Sequence, residues 1–235
     1  MAKKKGGGGY MTPGEQIAGT VLLVLYLLVL PAVRDPLFDL AERLTGASLS
    51  PSLRSAVYYY VLFAAVVVIF RRFLCRTSRN FTDNLGVACE AALTGLVALY
   101  GLNELACRLG RLLVGGLANL NDTLIAAPVP DAPRTTFLIA VLVVPIAEET
   151  LFRGLVFGGL RGKSRWIAYA AACGLFALSH VWQLAVSDPS PLALVRAVQY
   201  LVPGAVLCRT YERSGSLWSA VAVHAAANAL CLWTG

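Results

Sequence analysis

Seven apolar stretches recur along this chain, each close to the length a bilayer demands, and they constrain its fold before any motif is read. They run from Ile17 to Val33, Ala56 to Phe70, Leu85 to Leu102, Thr135 to about Leu160, Trp166 to Ala185, Pro191 to Cys208 and Leu217 to Trp233. A membrane span needs ~20 mostly apolar residues. The composition agrees: 57% of the residues are hydrophobic, 14% are charged, and the mean hydropathy is +0.68. Only helices and closed barrels satisfy their backbone in lipid, and these runs lack the alternation of barrel strands. The predicted fold class is therefore all-α: a polytopic transmembrane helix bundle of about seven spans. Residues 13–235 are expected to form one transmembrane domain, and residues 1–12, with Lys3, Lys4, Lys5 and four glycines, a disordered basic tail. The first run is long and no A-x-A site follows it, so it reads as a retained span rather than a signal peptide.

The charges set the topology. Lys3 to Lys5 precede span one, and Arg71, Arg72, Arg76 and Arg79 separate spans two and three. Arg161, Lys163 and Arg165 separate spans four and five, and Arg209 and Arg213 separate spans six and seven. Alternate connections are thus basic, which predicts the N-terminus inside and the C-terminus outside. The net charge of +7 has its explanation here, so no nucleic-acid partner is predicted. The partners implied are the lipid bilayer itself and whatever the protein acts on within it, in a multi-pass protein of the cell (plasma) membrane. Two connections, Asp35 to Ser55 and Asn103 to Arg134, are long and carry leucines such as Leu105, Leu109, Leu112 and Leu113 at near-helical spacing. They are read as short helices in the interface or packed on the bundle. The six cysteines form no C-x-x-C pair and read as small buried hydrophobes.

Ionisable groups are expensive in lipid, so those inside the spans are functional-site candidates. Span four carries Glu148-Glu149-x-x-x-Arg153, span five Phe176-x-x-x-His180 and span seven His224-x-x-x-Asn228. These two histidines are the only ones in the chain. Residues i and i+4 share a helix face, so Glu149 and Arg153 can pair, while Glu148 points elsewhere and keeps a free carboxylate. Pro145 upstream either kinks the helix beside Glu148 or is an ordinary membrane-helix proline. Gly154-x-x-x-Gly158 fits close helix contact. Counting at ~1.5 Å per residue puts Glu148 ~18 Å and His180 ~22 Å from the same basic loop, so the two can meet across an antiparallel hairpin. No H-E-x-x-H helix is present, yet Glu148, His180 and His224 could ligate a divalent metal such as zinc. Glu90 and Arg196 are further charges within spans; Glu90 is expected to pair with a neighbouring helix and Arg196 to snorkel outward.

In this order, the three motifs resemble those of the CAAX protease and bacteriocin-processing family of intramembrane proteases, which includes the type II CAAX prenyl endopeptidase. The similarity extends into Arg209-Thr210 and Ser214-Gly215-Ser216-Leu217-Trp218 and covers roughly Thr135 to the C-terminus. The resemblance implies that Glu148 is the general base activating water, that His180 helps to hold that water, that His224 and Asn228 stabilise the oxyanion, and that Glu149 and Arg153 support the site. It implies an endopeptidase cutting near the C-terminus of a membrane-associated substrate, prenylated CAAX-type proteins being one class. No serine, cysteine or threonine stands in the motifs as a nucleophile, so no acyl-enzyme is expected. Whether water is activated by glutamate alone or by a metal stays open at this level, with glutamate favoured because Asn228 is a poor zinc ligand and a good oxyanion donor. The alternative function is a non-catalytic membrane immunity or binding protein of the same family; every motif position is filled here, which favours the enzyme. A transporter would call for matched halves with broken helices, and no repeat is visible.

Overall fold

The computed structural model describes residues 11–114, 132–187 and 191–234, with the backbone alone at 113–114, 182–187, 191–196 and 234. Most of the basic tail, the C-terminal part of the Asn103–Arg134 connection and the side chain of Arg196 lie outside the described residues. All regular structure described is helical. We number the helices α1 (Pro13–Thr45), α2 (Pro51–Ile69), α3 (Arg71–Asp83), α4 (Leu85–Val114), α5 (Pro133–Leu160), α6 (Arg165–Ser187), α7 (Pro191–Ser214) and α8 (Leu217–Thr234).

Among the described residues, α1, α2, α4 and α5 are each long and apolar enough to cross a membrane, and Leu217–Trp233 of α8 is a shorter apolar helix. The protein is a multi-pass integral membrane protein. Its helices outrun the apolar stretches that signal them. The Asp35–Ser55 connection is not a loop with its own helix: α1 continues through Pro36 to Thr45, and only residues 46–50 link it to α2. Likewise Leu105, Leu109 and Leu112 continue α4 rather than forming a separate helix. Exposed helix ends tolerate charge because they leave the hydrocarbon. Arg54 pairs there with Asp39 and Glu42, each at 2.8 Å, and fastens the α1 end to the start of α2.

The helix starts are written locally. Thr12 Oγ1 accepts from the Glu15 N–H, the Glu15 carboxylate accepts from the Thr12 N–H, and Pro13 follows at the first position: a capping box. Ser50 and Pro51 start α2 in the same manner, and Gly46, at φ +70°, closes α1 in the left-handed conformation that glycine adopts without strain.

The basic segment between spans two and three is a helix, α3, and it organises the end of the bundle. Phe73 and Thr77 are buried on its inner face. The buried Glu15 carboxylate accepts from the Phe73 N–H at 2.7 Å and from Arg76 at 3.2 Å. On the other side Thr77 Oγ1 accepts from the Leu217 N–H at 2.7 Å, Asn80 donates to the Gly215 carbonyl at 2.5 Å, and Trp218 Nε1 donates to Ser78 Oγ at 2.8 Å. The first of these bonds caps the N-terminus of α8, where orphan N–H groups need acceptors, and the other two tie the same turn to α3, so together they fix the helix that carries His224 and Asn228.

α5 is the central helix. Of its most apolar window 61% is buried, against 17–22% in α1, α2 and α4. All eight residues from Thr150 to Phe157 are buried, and α6, α7, α8, α1 and α2 pack around this helix. It is not a uniform α-helix: Ile139–Val143 and Thr150–Phe157 are π-helical, as is Leu25–Val29 of α1. Such wider turns concentrate at functional sites. α4 meets α7 and α8 closely at Gly95, where an added Cβ would collide with Thr210 Oγ1 and lie 3.2 Å from Val223. We predict that Gly95→Leu destabilises the bundle by about 1–3 kcal/mol, the usual penalty of overpacking. Thermal unfolding in detergent checks this; an unchanged midpoint would contradict the packing described.

Candidate active site

The ionisable residues of the three motifs converge beside α5 in two groups. The first centres on Glu149. Its Oε1 accepts from Arg153 Nη1 at 2.9 Å and lies 2.8 Å from His224 Nδ1. Glu149 and Arg153 are fully buried. A carboxylate oxygen accepts only, so His224 Nδ1 carries a proton. Arg153 also donates from Nη2 to the Gly204 carbonyl at 3.2 Å, and its guanidinium sits 4.3 Å from the Phe176 ring centroid. One arginine thereby ties α5 to α6 and α7, and one carboxylate ties α5 to α8. Asn228, one turn beyond His224, donates from Nδ2 to the Ala140 carbonyl at 2.8 Å.

The second group centres on Glu148. His180 Nε2 lies 4.0 Å from Glu148 Oε2, as the hairpin count anticipates. His180 Nδ1 lies 2.8 Å from the Phe176 carbonyl, so it donates there, and in the neutral ring Nε2 presents a lone pair. The ring stacks on Tyr200 at 4.3 Å between centroids, which sets its plane. Glu148 is not the free carboxylate the spacing predicts. Its Oε1 accepts from the Tyr26 hydroxyl at 2.9 Å, and Oε2, buried, has no hydrogen-bond partner among the described residues. Two bonds of ~2.8 Å meeting at roughly a right angle span 4.0 Å, so the separation of Glu148 Oε2 and His180 Nε2 matches that of two groups bridged by one water.

Phe176 stands between the groups, 4.6 Å from the His180 ring and 6.2 Å edge-on from His224. A cavity of about 460 Å³ opens beside it, lined by Phe176, Tyr200, Pro203, His224 and Asn228, with Asn103 and Glu104 of α4 also in its wall. Its volume suits a few residues of extended peptide or one apolar chain. Sequence reasoning missed Tyr26, which lies 122 positions from Glu148 and bears no motif; a hydroxyl within an apolar run was its only signal. Of the two further charges, Glu90 pairs with Arg213 at 2.5 Å near the helix ends, away from these groups.

The metal candidates do not fit together as a ligand set. Glu149 engages His224 Nδ1, and among the described residues no three His, Cys, Asp or Glu side chains are grouped to hold an ion. We derive no step through a metal.

Residues 130–230, which contain all three motifs, match the family described as type II CAAX prenyl endopeptidase Rce1-like. Over this segment, a little under half of the chain, the protein is similar to that family. No curated protein and no solved structure matches the chain.

Removing Arg153 leaves the buried Glu149 carboxylate short of its strongest compensating charge. Breaking a buried pair from one side costs about 3–5 kcal/mol. We predict that Arg153→Ala sharply lowers the yield of folded protein and its unfolding midpoint, and that Arg153→Lys, which cannot reach Glu149 and Gly204 as a fork, restores little. Wild-type stability in Arg153→Ala would contradict the arrangement.

Proposed function

We propose that this protein is an intramembrane endopeptidase that hydrolyses a peptide bond near the C-terminus of a membrane-associated substrate by glutamate-activated water. The observation that carries the reading is the buried, half-satisfied Glu148 carboxylate 4.0 Å from an imidazole lone pair. A water there donates one hydrogen to Glu148 Oε2 and the other to His180 Nε2, which leaves its own lone pairs directed at an incoming carbonyl. Glu148 takes a proton as the water oxygen bonds to the scissile carbon. The carbonyl π electrons become the oxyanion of a tetrahedral intermediate. Glu148 then returns the proton to the departing amine as the C–N bond breaks, and a carboxylic acid and a free amine result.

The oxyanion belongs on the cavity side, beside His224 and Asn228. With Nδ1 donating to Glu149, His224 can donate from Nε2 only as the imidazolium. Because Glu149 is already paired with Arg153, that form would give the cluster a net positive charge, which suits an anion. Asn228 Nδ2 has a second N–H beyond the one given to Ala140. Glu149 and Arg153 act through His224 and Phe176 and are positioning residues. The roughly 460 Å³ cavity receives the substrate's C-terminal end, a prenylated CAAX-type chain being the class that the family description suggests.

We further propose seven spans, with the N-terminus on the cytoplasmic side, in the cell membrane, and residues 13–235 as one domain. α3, carrying Arg71, Arg72, Arg76 and Arg79, then lies at the cytoplasmic face with Lys163. Single cysteines at positions 76 and 163, on a background with the exposed Cys75 and Cys89 replaced, should react with an impermeant thiol reagent only when the cytoplasmic side is open; labelling of both from outside would invert the topology.

For the chemistry, we predict that Glu148→Gln abolishes cleavage of a farnesylated reporter peptide while insertion, yield and unfolding midpoint stay normal. Chelators should leave wild-type activity intact. Near-normal turnover in Glu148→Gln would remove the general-base assignment, and activity lost on chelation and restored by zinc would replace it with Lewis-acid chemistry.

A further inference from the structure

Hydrolysis inside a bilayer needs a supply of water as well as a base, and the molecule has a further cavity that shares no lining residue with the substrate cavity and has the Glu148 partner Tyr26 in its wall. It is small, about 100 Å³, and lies between α1, α2 and α6. Tyr26, Arg34, Tyr58, Tyr59 and Ser179 give it a polar lining. Two of these residues touch the catalytic groups directly: Tyr26 donates to Glu148 Oε1 at 2.9 Å, and Ser179 Oγ lies 3.1 Å from His180 Nδ1. At its other end Arg34 is held by Asp35 through contacts of 3.0 and 3.5 Å. That cation is therefore already compensated, and the chamber suits a neutral polar occupant rather than an anion. A site of this size, with several hydroxyls around it, has room and partners for a few water molecules. Tyr26 stands on the π-helical segment Leu25–Val29, where the backbone departs from α geometry to present it.

Resting on the assignment of Glu148 as base, we propose that this chamber is the water reservoir of the active site and that Tyr26 is a positioning residue at its inner wall. Its hydroxyl occupies Glu148 Oε1 and leaves Oε2 as the one oxygen that can take a proton. Substrate then approaches from the Phe176–His224 side and water from the Tyr26–Ser179 side, so the bound peptide does not block replenishment of the nucleophile.

The test uses the purified full-length protein in detergent, with pulsed X-ray hydroxyl-radical labelling shortly after dilution into ¹⁸O-water. Radicals form from water beside the residue they modify. Tyr26 and Tyr59 should therefore take up ¹⁸O at least as readily as Tyr60, the more exposed tyrosine of α2. Leu27→Trp, which fills the chamber from its wall, should suppress labelling of Tyr26 and Tyr59 and leave Tyr60 unchanged. Unlabelled Tyr26 and Tyr59 in the wild type overturn the reservoir even if Leu27→Trp fails to fold. With the farnesylated reporter, Tyr26→Phe should lower kcat about tenfold, as expected for one lost hydrogen bond to a charged group, with KM nearly constant. Wild-type kcat, or a change confined to KM, overturns the positioning role. Activity retained in Glu148→Gln together with labelled chamber tyrosines would instead sink the general-base assignment and leave the water route standing.

Discussion

A carboxylate buried in the middle of a membrane protein must be compensated, and the rest of this fold is arranged around how Glu149 is. Arg153 reaches it from one turn along α5, and His224 reaches it from α8. Arg153 is fully buried; its Nη2 donates to the Gly204 carbonyl and its guanidinium lies over the Phe176 ring, while its Nε has no hydrogen-bond partner among the described residues. Four helices are thus joined through two side chains. An unpaired charge at this depth would be costly, so the helices are confined to the packing in which the charges meet. The Glu148–His180 geometry follows from that confinement: once Phe176 is set by Arg153, its own carbonyl and ring orient His180 toward Glu148.

The two adjacent glutamates show how one helix serves two purposes. About 100° apart on α5, they face different neighbours. Glu149 is held by the Arg153 guanidinium and the His224 imidazole and joins α5 to α8. Glu148 is given one neutral hydroxyl and one facing imidazole, which keeps an oxygen available for a proton. In the mechanism proposed above, the same residue type has a structural role in one position and a chemical role in the next, and only the surroundings differ.

Much of this was legible in the amino-acid sequence because membrane helices are local objects. The apolar runs reveal the helices, i and i+4 spacing reveals the Glu149–Arg153 pair, and counting residues from a shared loop brings Glu148 and His180 to the same depth. What stayed hidden is what joins residues distant in sequence without a motif. Tyr26 and Glu148, or Thr77 and Leu217, are 122 and 140 positions apart, and nothing in their local context marks them as partners. The extent of the helices was hidden for another reason. Pro36 and the charges around it look like a break, yet α1 runs on beyond the apolar stretch because charged residues there pair with one another. The π-helical turns that aim Tyr26 and Arg153 leave no periodic signature of their own.

Since the chain contains two histidines, the central claim can be read from two imidazoles. Side-chain ¹⁵N resonances of histidine-labelled protein in detergent, assigned by His180→Asn and His224→Asn, report each ring's protonation and hydrogen bonding. The account predicts that Glu149→Gln shifts the His224 nitrogens and leaves those of His180 in place, whereas Glu148→Gln shifts His180 Nε2 and leaves His224 Nδ1 in place. If each substitution moved the other histidine, or neither moved, the two glutamates would not be partitioned between the two imidazoles, and the site described here would be wrong.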